Sequence, residues 1–189
     1  MKQKSCRFSN VTKKYLNDFY CILDQMIQGM TDANLSDSIS HNFIVQMIPH
    51  HRAAIEMSQN LLQYTTFIPL QDIALNIIQA QTQSIEHMRQ SLNICTDLKN
   101  SSRELCLYQR NFHQITQTMF SEMNCACSSN NINKNFIREM IPHHEGAIRM
   151  SKNALRFPVC PELIPILNAI ITSQEKGVRK MQCLLSFNI

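Results

Sequence analysis

Residues 43–58, Phe-Ile-Val-Gln-Met-Ile-Pro-His-His-Arg-Ala-Ala-Ile-Glu-Met-Ser, return at 136–151 as Phe-Ile-Arg-Glu-Met-Ile-Pro-His-His-Glu-Gly-Ala-Ile-Arg-Met-Ser. The offset, 136 − 43 = 93 residues, also relates Tyr15 to Tyr108, Phe19 to Phe112, Met26 to Met119, Met30 to Met123, Gln81 to Gln174 and Met88 to Met181 without a gap. The chain therefore reads as two copies of one unit, 11–97 and 104–189. Any fold for it must be one that a duplicated unit can build.

What drifts between the copies separates surface from site. Arg52 faces Glu145 in the alignment and Glu56 faces Arg149, whereas Met-Ile-Pro-His-His, Ala-Ile and Met-Ser are identical. Packing alone does not require two adjacent histidines, so the pair is the first candidate for chemistry.

Each unit reads as three helices. Apolar residues recur at Tyr15, Phe19, Ile22, Met26 and Met30, a helical spacing that predicts helix A over 11–30, ending near Gly29-Met-Thr. A polar stretch, 31–38, supplies capping residues for helix B over 39–63, which carries the motif with Pro49 inside it. Pro69 opens helix C, which runs to about residue 95. The pattern restarts as A′ (104–123), B′ (132–156) and C′ (162–186). Only 3 of the 189 residues are glycine and none is tryptophan, while 11 are methionine, a composition suited to helix packed on helix. The fold class expected is all-α: an antiparallel, ferritin-like helical bundle of about six long helices, built by tandem duplication. A three-helix unit leaves an apolar face uncovered and the link between units is short, which favours one shared core.

At ~100° per residue, His50 and His51 flank Met47, Phe43, Ala54 and Leu61 on the buried stripe of helix B, while Arg52, Glu56, Gln59 and Gln63 point away. Pro49 removes the amide that would bond the Val45 carbonyl, so a kink beside the histidines is expected. Bundles that hold two irons use Glu-x-x-His motifs. This sequence has none; Met47-x-x-His50 and Met140-x-x-His143 stand in that place. A thioether paired with imidazole favours Cu(I) or Ag(I) over iron, magnesium or calcium. The candidate metal ligands are Met26, Met30, Met47, His50, His51, Met57 and Met88 in the first unit, and Met119, Met123, Met140, His143, His144, Met150 and Met181 in the second.

Other functions find little support. The net charge of +4 is mild and falls in the second half: residues 1–96 carry 7 basic and 7 acidic groups, residues 97–189 carry 11 and 7. No basic run or helix-turn-helix pattern points to nucleic acid. No apolar run reaches the length of a membrane span, and the first residues carry positive charge with no apolar segment behind them, so the default location is the cytoplasm. There is no His-Glu-x-x-His, no phosphate loop and no repeated nucleophile beside the histidines, so no enzyme activity is expected. None of the eight cysteines has a cysteine 93 residues away. They lie outside the duplicated site and are expected to be mostly reduced, with Cys125-Ala-Cys127 the one close pair.

The motif Met-Ile-Pro-His-His-x-x-Ala-Ile-x-Met-Ser, preceded by Met-x-x-x-Met and followed by Gln-x-x-x-Ile/Val-x-x-Met, resembles the bacterial family called domain of unknown function 305. The resemblance covers both copies. It implies a ferritin-like helical fold and copper or silver handling, with copper tolerance outside the cytoplasm, through His50, His51, Met47 and Met57 and through His143, His144, Met140 and Met150. The expected function is therefore a Cu(I) or Ag(I) binding protein for buffering, trafficking or resistance, whose partners are the metal ion and either another copy of itself or a metal-transfer protein. The rival is a metal-free structural or interaction bundle, in which the His pair hydrogen-bonds the carbonyl freed by the proline.

Overall fold

The computed structural model describes residues 8–95, 98–126 and 128–187. Its helices are α1 (Asn10–Thr31), α2 (Ile39–Leu62), α3 (Ile68–Ile94), α4 (Ser102–Asn124), α5 (Ile132–Ala154) and α6 (Leu163–Ser186), and the described residues contain no strand. The periodicity of the apolar residues placed each one to within a turn. Helix α1 ends at Thr31, closing the expected Gly29-Met-Thr stretch without using Gly29 itself as the stop. Gly29 serves close approach instead, since a Cβ there would lie 2.9 Å from Cβ of Pro49 on α2.

Helix starts are fixed locally. Ser9, Ser38, Ser101 and Asn131 each accept a hydrogen bond from a backbone N–H of the first turn, and Ser101 with Glu104 forms a full capping box. Pro69 and Pro165 stand in the first turns of α3 and α6, where a missing N–H is harmless. Pro49 and Pro142 lie inside α2 and α5, in the continuous helices that carry the histidines.

Helices α2 and α3 pack as one pair, α5 and α6 as another; α2 meets α5 and α3 meets α6, giving a central bundle of four. Helix α1 lies on α2 and α4 on α5 as outer supports. One hydrophobic cluster runs through all six helices, from Phe19 and Leu23 through Phe43, Met47, Leu61 and Met88 to Phe136, Met140, Leu167 and Met181. Each such side chain, fully withdrawn from water, contributes roughly 1.5–3 kcal/mol.

Two asparagines at the 93-residue offset lock the preceding loops in the same way. Asn42 accepts from the Ser36 N–H at 2.7 Å and donates to the Ser36 carbonyl at 3.0 Å; Asn135 does so with Ser129 at 2.8 and 2.8 Å. Asn60 and Asn153 likewise donate to the Tyr15 and Tyr108 carbonyls, each at 3.1 Å, fastening α1 to α2 and α4 to α5. These polar residues serve the fold.

The halves are also joined where no repeat relates them. A disulfide links Cys95, at the end of α3, to Cys160, in the corner between α5 and α6. Cys21, Cys106, Cys125 and Cys183 are free and exposed, while Cys6 and Cys127 lie outside the described residues, so the Cys125–Cys127 pair has no structural account. The paired cysteines are an exception to the expectation of reduced thiols.

Candidate metal centre

Because α2 crosses α5, the two His-His pairs meet on the line between the halves. The rings of His50 and His143 stack with centroids 3.7 Å apart and 27° between their planes. His51 stands 5.9 Å from His50 and His144 5.9 Å from His143, so four imidazoles form one chain across the bundle. His50, His51 and His143 are fully buried and His144 is 2% exposed.

Few of their nitrogens are partnered. His143 Nε2 donates to the carbonyl of His50 at 3.1 Å, and His51 Nε2 lies 3.1 Å from the Ser84 hydroxyl. Both nitrogens of His50, and Nδ1 of His51, His143 and His144, find no hydrogen-bond partner of good geometry in the protein. One histidine contact to a carbonyl thus runs between the halves, to His50, and a backbone group of Met140 approaches His144; neither is the carbonyl of Val45 that Pro49 frees. A buried polar atom left unpaired costs about 1–3 kcal/mol, so five such atoms in one cluster call for an explanation.

Burial also fixes the charge state. It pushes His51 down to about 3 and His143 down to about 4, with the His50 carbonyl opposing the latter weakly. Burial, and then the repulsion of the neighbouring rings, holds His50 and His144 well below the ordinary histidine value. All four imidazoles are neutral at physiological pH, the form that ligates metals.

The ten candidate methionines are all buried: Met26 and Met30 on α1, Met47 and Met57 on α2, Met88 on α3, Met119 and Met123 on α4, Met140 and Met150 on α5, and Met181 on α6. Met26 lines a groove between α1 and α2 with Pro49, and Met30 one against α4 with Phe112 and Thr116; neither groove contains any of the four histidines. Met119 packs its sulfur against Gly146. Met47 and Met140 precede the histidines by three residues on the same helices, which puts each one turn from its imidazoles.

Two surface grooves between α3 and α6 lead to the cluster and correspond to each other through the offset. One is floored by His51 and the other by His144; Gln81 and Gln174 line both. These glutamines are buried, and Gln81 Nε2 and Oε1 and Gln174 Oε1 have no hydrogen-bond partner in the protein. A polar residue repeated in the middle of an apolar stripe was the sequence signal for them. The grooves differ at one position: Ser84 caps His51, whereas its counterpart is Gly177, where a Cβ would stand 2.7 Å from Cδ2 and 2.9 Å from Nε2 of His144. A second asymmetry is Glu139, buried beside Met140. The Tyr15 hydroxyl donates to it at 2.7 Å, and burial pushes its carboxyl up to about 7. The matching pair in the other half, Tyr108 and Gln46, makes no such bond, and the Tyr108 hydroxyl is unpartnered. The pair escapes repeat-based reading because the counterpart of Glu139, Gln46, is not a carboxylate.

No helix is long and apolar enough, among the described residues, to cross a membrane. A solved structure described as CopM in the Cu(II)-bound form is 27% identical, with a TM-score of 0.62, over 79% of this chain and 97% of that one. A DUF305 fragment from Deinococcus radiodurans, 20% identical with a TM-score of 0.56 over 82% of this chain and 97% of its own, shares the fold. The sequence has no match among curated proteins. The family described as Domain of unknown function (DUF305) matches residues 22–92 and 40–185, spanning the duplicated motif and every helix of the bundle, and the chain belongs to that family.

Proposed function

We propose that the protein holds a soft transition metal, Cu(I) with Ag(I) as its analogue, and that it buffers, traffics or detoxifies copper without catalysing a reaction. The observation that carries this reading is the chain of four buried, neutral imidazoles with unpartnered nitrogens at the α2–α5 crossing. Neutral imidazole is a good donor for copper, and thioethers on the same helices, Met47 and Met140 one turn before the imidazoles and Met57 and Met150 about two turns after, would bias the site toward the soft, reduced ion. Met26, Met30, Met88, Met119, Met123 and Met181 are the further buried sulfurs of the proposed set, Met26 and Met30 along separate grooves. Family membership and the likeness to a Cu(II)-bound protein support a copper ligand without fixing its oxidation state.

In this reading the imidazoles of His50, His51, His143 and His144 act in pairs with sulfurs of the same helices, since no three of their nitrogens lie within 4.8 Å of one another, and the packed helices exclude water and hard competing ions. A metal-free structural role is the second reading. It is favoured by the His143–His50 carbonyl and His51–Ser84 hydrogen bonds, which tie two of the rings without any ion. It leaves His50 unexplained, since neither of its nitrogens has a partner. Competition titration with a chromophoric Cu(I) chelator, for the parent and for His50→Leu/His143→Leu, separates the two. Tight binding lost in the variant supports the metal site; equal binding by both proteins removes it.

A further inference from the structure

A second cluster of metal-ligating groups sits at the corner where the halves are stapled, away from the repeated motif. Cys95 Sγ, Cys160 Sγ and a carboxylate oxygen of Glu162 lie within 4.8 Å of one another. Both sulfurs belong to residues only 5% exposed, while Glu162 is exposed and opens the cluster to solvent. The carboxylate comes to 2.7 Å from Cys160 Sγ. A disulfide sulfur carries no proton to donate, so the bonded form leaves this close carboxylate without an attractive partner. A thiol proton or a cation would supply one.

The corner is held by bonds other than the disulfide. Asn100 accepts from the Ile39 N–H at 2.8 Å and donates to the Pro158 carbonyl at 2.9 Å, its own N–H donates to the Asp37 carbonyl at 2.8 Å, and the Cys160 N–H donates to the Ser40 hydroxyl at 2.8 Å. These four hydrogen bonds tie the start of α2, the link between the halves and the α5–α6 corner into one unit. Cys95 is held from its own side, its N–H donating to the Ser91 carbonyl at 2.8 Å at the end of α3, which packs on α2 and α6, so opening the disulfide leaves the two sulfurs near each other and the carboxylate.

We infer that Cys95, Cys160 and Glu162 form a redox-gated site for a borderline divalent cation such as Zn(II): closed as the disulfide, open as the dithiol. Two thiolates, one carboxylate and a water complete the four ligands that zinc takes. The opening step consumes two equivalents of a thiol reductant, which leave as their own disulfide while Cys95 and Cys160 gain one hydrogen each. Zinc then displaces the two thiol protons. The site shares no ligand with the histidine cluster, and its fate does not depend on the copper reading.

The test is alkylation of the full chain after reduction with a phosphine and anaerobic removal of the reductant, with and without a small excess of Zn(II), read by peptide mass mapping. Zinc should slow N-ethylmaleimide labelling of Cys95 and Cys160 by about tenfold or more, leave Cys21, Cys106 and Cys183 unchanged, and protect less in Glu162→Gln. The far-UV spectrum of the reduced protein should keep its helical form. Equal labelling of Cys95 and Cys160 with and without zinc, protection confined to other cysteines, or loss of helix on reduction would each overturn the inference.

Discussion

His143 donates a hydrogen bond to the backbone carbonyl of His50, 3.1 Å away, while the two rings stack at 3.7 Å. A residue and its counterpart 93 positions on are thus in direct contact, and the two like motifs meet as one cluster of imidazoles. Apart from the His50 carbonyl, the contact gives His50 nothing. Its nitrogens are buried, neutral and unpartnered, an arrangement that burdens the fold and is expected where a site is kept for a ligand.

Replacing His50 with leucine, of similar volume, removes both orphan nitrogens. The metal-free variant should be as stable as the parent or more stable by about 1–2 kcal/mol, while its affinity for Cu(I) falls. Urea unfolding of the apo proteins beside a Cu(I) competition assay checks both halves. A clear loss of stability would identify His50 as a structural residue.

The two grooves should respond differently to matched substitutions. At Gly177 an added methyl group meets the His144 ring at under 3 Å, so Gly177→Ala should cost about 1–3 kcal/mol through overpacking. Ser84→Ala, which removes only the hydroxyl on His51, should cost about 1 kcal/mol. Chemical denaturation of the two variants measures the difference, and equal effects would deny the asymmetry of the grooves.

Glu139 gives a pH signature of its own. Its folded carboxyl titrates near 7, above the ordinary value of 4.5. Its contribution to stability is therefore full below about 4.5 and is lost as pH rises through about 7, by an amount of order 3 kcal/mol. Glu139→Gln keeps a hydrogen-bond acceptor for Tyr15 and should flatten that part of the stability profile, making the protein more stable than the parent at pH 8. Denaturant midpoints between pH 5 and 8 for both proteins decide the matter; parallel profiles would contradict the raised value.

The histidines act in the opposite direction. Their folded values are depressed, to about 3 for His51 and about 4 for His143, so their contribution is present above about 6.5 and is lost as pH falls toward 4, where the unfolded chain takes up protons and the folded chain does not. The same depression changes what exposed histidines would predict for metal binding. Free imidazoles would begin to release metal below about pH 6.5; these should hold it with little change from pH 7.5 to about 5 and release it as the fold acid-denatures. Ag(I) affinity that drops in proportion to proton concentration just below pH 6.5 would show solvent-exposed ligands instead.

Much of this was legible in the sequence because it is periodic or repeated. The apolar spacing of Tyr15, Phe19, Met26 and Met30 located α1, and the doubled Pro-His-His marked the two segments whose histidine rings come together. What escaped is unrepeated or set by tertiary approach. Gly29 and Gly177 look like ordinary glycines until Pro49 and His144 are placed against them. The Cys95–Cys160 pairing depends on how α3 meets the α5–α6 corner, which spacing along the chain does not encode. Methionines at helical spacing read equally as ligands or as filling, and the structure lays Met26 and Met30 along other grooves.

The chain has 7 histidines, and His41, His87 and His113 stand outside the cluster as internal controls. The most direct test is a long-range 15N–1H spectrum of the histidine rings, recorded at neutral pH before and after one equivalent of Ag(I). The ring nitrogens of His50, His51, His143 and His144 should shift, with those of His41, His87 and His113 unchanged. Shifts confined to the outer three, or none at all with silver bound, would contradict a metal centre at the crossing of α2 and α5.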